Sequence, residues 1–382
     1  MNKILYVTED HSLHNTGITS AVDALTRQFN GSLDLEVLSI GPDAIEVPEG
    51  VRVTLLKTNL PGGLWRAALN QTSTLWERIA HANIVHMHGV WMWPQWAAAR
   101  QARRINRPVV LSPHGMLESY MWQRQSWLHQ LKKTIYWRTV AYPAFKNVSV
   151  IHALTNREAS DLSNYFPEQR IVILPNSIDL DLIDRHLLDY PSEGPVKPYI
   201  LFLGRLHPKK GIDLVIKAFA HLHNTEMTLK LAGEVQEKDK GYDAYLSSLV
   251  KQLGLEEQVE FIGAVKGKLK WLLYKNAWAF CLPSHSEGLA MVNLEAAACR
   301  TPVITTYQSG VPDDWAANGG ILIKPDIYEI TQSLLQASQW SRSERDQRGN
   351  SLRNLVERTY STQVLAPQWV ALYNELESVL HV

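Results

Sequence analysis

The chain has 382 residues, 45% of them apolar and 20% charged, which is long for a single hydrophobic core and suits two domains. Lysine plus arginine number 38, as do aspartate plus glutamate, so no global charge draws the chain to nucleic acid and any polyanion-binding patch has to be local. Cys281 and Cys299 stand in no CxxC spacing and argue against a disulfide framework or structural zinc, as suits a cytoplasmic protein, and no window approaches the ~20 apolar residues that span a bilayer.

Short β-branched runs at 3–7, 35–40, 51–56, 83–88, 108–112, 148–154 and 170–174 alternate with segments of helical period. The alternation predicts a parallel sheet with crossover helices. Met1 leads straight into the first run rather than into a signal peptide. In the fourth run His86 and His88 fall on one face, each either a satisfied core histidine or a group turned to a ligand. His114, in the turn after the fifth run, is the better candidate for a ligand contact. Trp91, Trp93, Trp96, Trp122, Trp127 and Trp137 are interleaved with Arg124, Lys132, Lys133, Arg138 and Lys146. Two readings stand for that cluster: an interfacial surface meeting anionic lipid and a lipid-linked glycan, or indoles packing crossover helices with the cations in solvent.

Pro175-Asn176-Ser177-Ile178-Asp179 opens a loop-like stretch that Pro198 closes, read as a linker between a first domain at 1–190 and a second at 191–363. Asp179 and Asp181 fit a metal-holding D-x-D pattern but lack partner ligands, so helix capping is expected and no catalytic metal. A second alternating series follows at 199–203, 228–231, 259–262, 278–282, 302–306 and 321–323. Ile212, Val215, Ile216, Phe219 and Leu222 recur at helical spacing as the apolar face of its first crossover helix. A last helix, near 364–382, is expected to pack back on the first domain. The fold class expected is α/β, with two Rossmann-like doubly wound domains.

The sharpest constellation runs from Pro283 to Ala298: a strand end, the turn Ser284-His285-Ser286-Glu287-Gly288, then an alanine-rich helix. Ligands of open parallel sheets sit beyond the carboxyl ends of the strands, where a helix start offers free N–H groups and a positive dipole end to phosphate. Glu287 lies in that turn, and Gly288, Leu289, Ala290 and Met291 are the backbone donors. Glu295, two turns into an apolar stretch, needs a buried hydrogen-bond partner such as a ribose.

The segment EGLAMVNLEAAA, with Glu287 and Glu295 separated by seven residues, resembles the E-x7-E motif of the retaining glycosyltransferases of family 4, and the resemblance extends over nearly the whole chain. Gly204-Arg205-Leu206 with Lys210-Gly211 resembles the segment whose arginine and lysine clamp the donor diphosphate, a role two fixed cations can fill without a metal. Gly233 ends a turn like the family's AG[EDS], and Gly263-Ala264-Val265 resembles its base-binding FxGxV turn. In the first half, Gly17 stands where the family has a paired-glycine loop over sugar and acceptor, while His86-Met87-His88-Gly89 and Ser112-Pro113-His114-Gly115 resemble two histidine turns. Arg300 stands where glycine is common, and Ser309-Gly310-Val311-Pro312-Asp313 matches the usual turn only loosely.

The resemblance implies a GT-B fold, with the two domains facing each other across a cleft. It implies Glu287 and His114 as catalytic residues, Arg205 and Lys210 on the diphosphate, Glu295, Gly233, Gly263, Ala264 and Val265 on the nucleoside, and Gly17 and His88 toward the acceptor. It further implies retention of anomeric configuration, no cofactor beyond a nucleotide-sugar co-substrate, expected to be a UDP-sugar such as UDP-glucose, and a glycan or lipid-linked glycan acceptor of surface polysaccharide synthesis, with peripheral contact at the cytoplasmic membrane. Two rival readings are a nucleotide-sugar epimerase of the same architecture and a silent sugar-nucleotide-binding subunit. The tryptophan-rich first domain speaks against the former, and intact Glu287, Arg205 and Lys210 against the latter. No GxGxxG follows the first strand, which disfavours a dinucleotide oxidoreductase.

Overall fold

Each β-branched run becomes a parallel strand, and the inner ones, such as those at 84–88, 109–112, 199–203 and 279–282, are buried at every position, as strands covered on both faces by helices must be. The structure, a computed structural model, describes residues 3–9, 16–29, 32–41, 50–59, 65–118, 127–188, 197–222, 226–236 and 239–378. The chain divides into two units, Met1–Ser177 with Thr362–Val382, and Ile178–Ser361.

The first unit contains β1 (Lys3–Val7), α1 (Thr16–Gln28), β2 (Asp34–Ile40), β3 (Arg52–Leu56), α2 (Thr72–His81), β4 (Ile84–His88), α3 (Trp93–Arg104) and β5 (Val109–Ser112). These are followed by α4 (Trp127–Tyr136), a π-helical turn (Trp137–Ala141), α5 (Tyr142–Phe145), β6 (Val150–Ala153), α6 (Asn156–Ser163) and β7 (Ile171–Ile173). Its strands lie in the order β3-β2-β1-β4-β5-β6-β7.

The second unit runs through α7 (Leu180–Leu188), β8 (Tyr199–Leu203), α8 (Ile212–Phe219), β9 (Thr228–Ala232), α9 (Tyr242–Gln252), β10 (Val259–Gly263), α10 (Gly267–Asn276) and β11 (Ala279–Leu282). It continues with α11 (Met291–Ala298), β12 (Val303–Thr306), β13 (Ile321–Ile323), α12 (Ile327–Ser338) and α13 (Arg342–Tyr360). Its sheet order, β10-β9-β8-β11-β12-β13, repeats the doubly wound pattern of the first. Ile212, Val215, Ile216, Phe219 and Leu222 are all buried, the apolar face that their spacing implies.

The boundary between units falls after Ser177, at the start of the stretch read as a linker rather than at residue 190. Residues 180–188 form α7, whose first turn is capped by Asp179 Oδ1 accepting the Leu182 N–H at 2.8 Å. Arg353 on α13 makes a fork with Asp184 on α7, at 2.6 Å from Nη2 to Oδ2, and so ties α7 to the second unit. Residues 189–196 of the linker reading lie outside the described residues. At the far end of the unit, α11 closes in a Schellman turn, with the Arg300 N–H on Ala297 O and the Thr301 N–H on Ala296 O. Arg300 takes a left-handed φ of +58° there, the conformation for which glycine is the common choice.

The last helix, α14 (Thr362–Ser378), completes the first unit. Trp369 and Tyr373 are fully buried beside Phe29, Val37 and Ile84, and Trp369 lies 4.7 Å from the His152 ring and 5.2 Å from that of His86. Arg170 and Glu375 pair at its outer surface. Replacing Trp369 with alanine leaves a large void in this pile and is expected to cost about 3–5 kcal/mol. Urea unfolding of the full chain checks this, and a midpoint unchanged for the first unit would contradict the packing described.

Candidate functional site

Strand order reverses between β8 and β11, so the turns leaving these two strands diverge to opposite sides of the sheet and open a crevice at their carboxyl ends. The turn after β8 carries Arg205 and Lys210, and the turn after β11 carries Glu287. Backbone contacts hold them together. The His285 N–H donates to Lys209 O at 2.8 Å, the Glu287 N–H to Gln308 O at 2.8 Å and the Ala290 N–H to Ser309 O at 2.9 Å. The turns after β8, β11 and β12 are thereby laced into one layer. Two glycines allow the approach: a Cβ on Gly211 (φ +69°) would come within 2.4 Å of Pro283 O, and one on Gly310 (φ +77°) within 2.2 Å of Gly288 O.

Lys210 Nζ donates to Glu287 Oε1 at 2.6 Å, both side chains being largely buried. Burial alone would raise the Glu287 carboxyl pKa, but the charges of Lys210 and Lys209 and the Lys210 hydrogen bond outweigh it and hold the group below the usual carboxylate range. The site thus offers an ionised carboxylate with a lysine beside it, at the start of α11. Among the described residues no backbone carbonyl takes the N–H groups of Gly288, Leu289 or Met291, whereas that of Ala290 is spent on Ser309 and is not the free donor expected from the sequence. Arg205 bonds Gln236 Oε1 at 2.8 Å.

Glu295 meets its need for partners within the protein: Lys270 Nζ donates to Oε1 at 2.6 Å and the Tyr274 hydroxyl to Oε2 at 3.0 Å. Lys270 and Tyr274 were missed in the sequence, although they stand four apart on one face of α10 and a carboxylate in an apolar stretch calls for a cation. Gly233 and Gly263 end the adjacent strands β9 and β10, joined by the Gly233 N–H to Gly263 O bond at 2.8 Å, with Ala264 and Val265 following on the surface of the same edge.

In the first unit the equivalent reversal lies between β1 and β4. Gly17 stands in the first turn of α1 rather than in a loop, and residues 10–15 before it lie outside the described residues. His88 Nδ1 and His114 Nε2 share a hydrogen bond of 2.9 Å, their rings stacked with centroids 5.2 Å apart. His114 is half-buried with a left-handed φ of +53°. Its turn is held by Glu158, which accepts the Gly115 N–H at 2.6 Å through one oxygen and the Leu154 N–H at 2.7 Å through the other. Burial, with the neighbouring His152 second, lowers the pKa of His114 to about 3, so it is a neutral hydrogen-bonding group and not a cation near neutral pH.

His86 is a core histidine. Its Nδ1 bonds the Tyr373 hydroxyl at 2.8 Å and its Nε2 the Ser112 hydroxyl at 2.7 Å, while Ser112 reaches His152 Nδ1 at 2.6 Å and His152 Nε2 meets Leu174 O at 2.6 Å. A carbonyl can only accept, so His152 donates from Nε2, and each bond back along the row takes one direction as far as Tyr6, which donates to Tyr373 at 3.1 Å.

Of the tryptophans, Trp93 and Trp137 are buried and Trp91 and Trp96 pack partly buried against the same core, so the crossover-packing reading accounts for these four. Trp127 stands out in solvent, and Trp122 and Arg124 lie outside the described residues. Among the described residues no group of three or more His, Cys, Asp or Glu is placed to hold a metal ion, and no helix is long and apolar enough to cross a membrane.

Two predictions come from this geometry. Gly211→Ala incurs both left-handed strain and the clash with Pro283 and is expected to lose more than about 2 kcal/mol, whereas Gly254→Ala, at φ +65° in open space, should lose only about 1 kcal/mol. Equal losses in urea unfolding would show that the close approach carries no weight. The second concerns pH. His114 and His152, the latter lowered to about 4 by burial, have folded pKa values below that of an unfolded histidine, ~6.5. Below that value the unfolded chain takes up protons that the folded unit refuses, so stability present above it is lost as pH falls, by about 1.4 kcal/mol per pH unit for each histidine. Melting temperatures of the first unit from about pH 7 to about pH 5 test the sign.

Comparison with known proteins gives two matches to family models: residues 16–182 match "Glycosyltransferase Family 4" and residues 192–353 match "Glycosyl transferases group 1". A D-inositol 3-phosphate glycosyltransferase of Kineococcus radiotolerans is 28% identical over 337 residues, 78% of this chain and 75% of that protein. Other curated relatives align over 37 to 42% of their own length. Among solved structures, sucrose-phosphate synthase from Thermosynechococcus elongatus is similar with a TM-score of 0.78 at 18% identity, covering 99% of this chain and 100% of that one. Anabaena HepE in complex with UDP and glucose is similar with a TM-score of 0.76 at 15% identity, covering 98% and 100%. With both sheets in doubly wound order and family models matched on each side of residue 190, the chain belongs to the group 1, family 4 glycosyltransferases of the GT-B fold.

Proposed function

We propose that the protein transfers a hexose, with retention, from a UDP-sugar such as UDP-glucose to a hydroxyl of a glycan or lipid-linked glycan, without a metal. The observation that carries this reading is the Lys210 and Glu287 pair at the strand reversal, beside the open N–H groups of Gly288, Leu289 and Met291. Arg205, Lys210 and those N–H groups neutralise the diphosphate as it leaves, a charge that develops only as the glycosidic bond to phosphate breaks. A diphosphate draws Lys210 away from Glu287, freeing the carboxylate to accept from a hydroxyl of the donor sugar. Glu295, with Lys270 and Tyr274, holds the ribose, and the turns ending in Gly233 and Gly263 border the base. His114, neutral and steadied by His88, bonds a sugar hydroxyl. The acceptor hydroxyl forms the new bond to the anomeric carbon and passes its proton to the departing phosphate. The uridine assignment is supported by HepE, whose structure holds UDP and glucose.

Nucleotide release from UDP-, GDP- and ADP-sugars in excess EDTA tests the reading. One UDP-sugar is expected to be hydrolysed slowly or transferred, with loss of about 10²-fold or more in Lys210→Ala and in Glu287→Gln. Turnover that requires added metal, or survives both substitutions, sinks it. Recovery of an epimerised nucleotide sugar with no nucleotide released would instead support the epimerase.

A further inference from the structure

Helix α4 sits on the first unit the wrong way round for an amphipathic helix of a soluble domain. None of its ten residues is buried, and its large apolar side chains point outward: Trp127 is 71% exposed, Leu128 52%, Leu131 48% and Ile135 52%. At ~100° per residue these four fall within an arc of about 100°, one continuous stripe. The side that meets the unit is the polar and aromatic one. Tyr136 lies 6.0 Å from the ring of Trp91, and the Lys133 ammonium stands 5.0 Å from the same ring. An apolar stripe has therefore been kept in solvent although the helix had an inner face to bury it on.

The charge along this part of the sequence is one-sided. The chain as a whole is balanced, yet residues 127–157 hold five lysines and arginines and no carboxylate, and the acidic group that acts on α4, Glu9, does so through Tyr136 on the side away from the stripe. Lys132 borders the stripe on α4, and Arg138 lies exposed in the π-helical turn that follows. A row of indole and aliphatic side chains flanked by cations fits the boundary between headgroups and acyl chains of an anionic bilayer. A second copy docking by the same face would bring two sets of these cations into one interface, with no carboxylate from residues 127–157 to offset them. A nucleic acid would find no polar group along the stripe itself.

We propose that α4 is a membrane-docking helix: its Trp127, Leu128, Leu131 and Ile135 edge enters the surface of an anionic phospholipid bilayer while Lys132 and Arg138 pair with its phosphates. The proposal stands apart from the transfer chemistry, since binding to lipid is read without any donor or acceptor.

The test is co-sedimentation of the full chain with vesicles of phosphatidylcholine alone and of phosphatidylcholine with phosphatidylglycerol. Wild type is expected to sediment with the second kind only, less so as salt is raised. Leu131→Glu with Ile135→Glu, and separately Lys132→Glu with Arg138→Glu, should each lower the partition coefficient by at least about tenfold. Melting temperatures should stay unchanged, because none of the four side chains is buried. No sedimentation of wild type, equal binding to both vesicles, or variants that bind like wild type would overturn the proposal. So would a wild-type dimer that the Leu131→Glu, Ile135→Glu variant converts to monomer.

Discussion

The second unit depends on the close backbone approach of three turns, those after β8, β11 and β12, where carbonyl oxygens of Pro283 and Gly288 occupy the space that side chains on Gly211 and Gly310 would take. Without that approach Lys210 and Glu287 would stand on separate loops, each free to turn to water. With it, the lysine and the carboxylate are 2.6 Å apart before any ligand arrives, and their mutual attraction keeps the carboxylate ionised despite burial. Preorganisation of this kind matters most for a charge that appears only during reaction, because nothing then has to move to meet it.

The first unit solves the same topological problem by other means. Its strands also reverse beside β4, but the crevice floor is built of hydrogen-bonded side chains, with His86, Ser112 and His152 forming a dry polar row beneath the paired rings of His88 and His114. Burial makes the histidines of that row neutral, and neutrality makes the row possible, since two imidazolium ions could not face one serine hydroxyl. Glu158 adds a fixed acceptor under the His114 turn and so lets a non-glycine residue hold a left-handed conformation.

Strands were legible in the sequence almost to the residue because a strand covered on both faces must be apolar throughout, as Tyr199–Leu203 is. Helices whose role is to join parts were less so. The helix Leu180–Leu188 hides in a stretch framed by prolines, and contacts with residues far along the chain, among them Lys275 and Arg353, show to which unit it belongs. The Glu287 turn could be read because its chemistry is local, from strand end to helix start. The partners of Glu295 could not, because Lys270 and Tyr274 arrive from another helix. The tryptophans illustrate the limit of composition: identical residue types near one another in sequence divide between the core, at Trp93 and Trp137, and open solvent, at Trp127.

The C-terminal helix carries a consequence for how the protein is made. Trp369 and Tyr373 fill the core beside β1, β4 and β5, and the hydroxyl of Tyr373 is the second member of the polar row that begins at Tyr6 and ends at Leu174. On the ribosome, then, the N-terminal half is exposed for the whole time that the second unit is being translated, with a slot along its sheet and a donor missing at His86. Its assembly closes only once the helix Thr362–Ser378 has emerged, a contact 287 residues distant along the chain. Vectorial synthesis can finish the second unit by itself; the first is finished only after the whole of the second has been made.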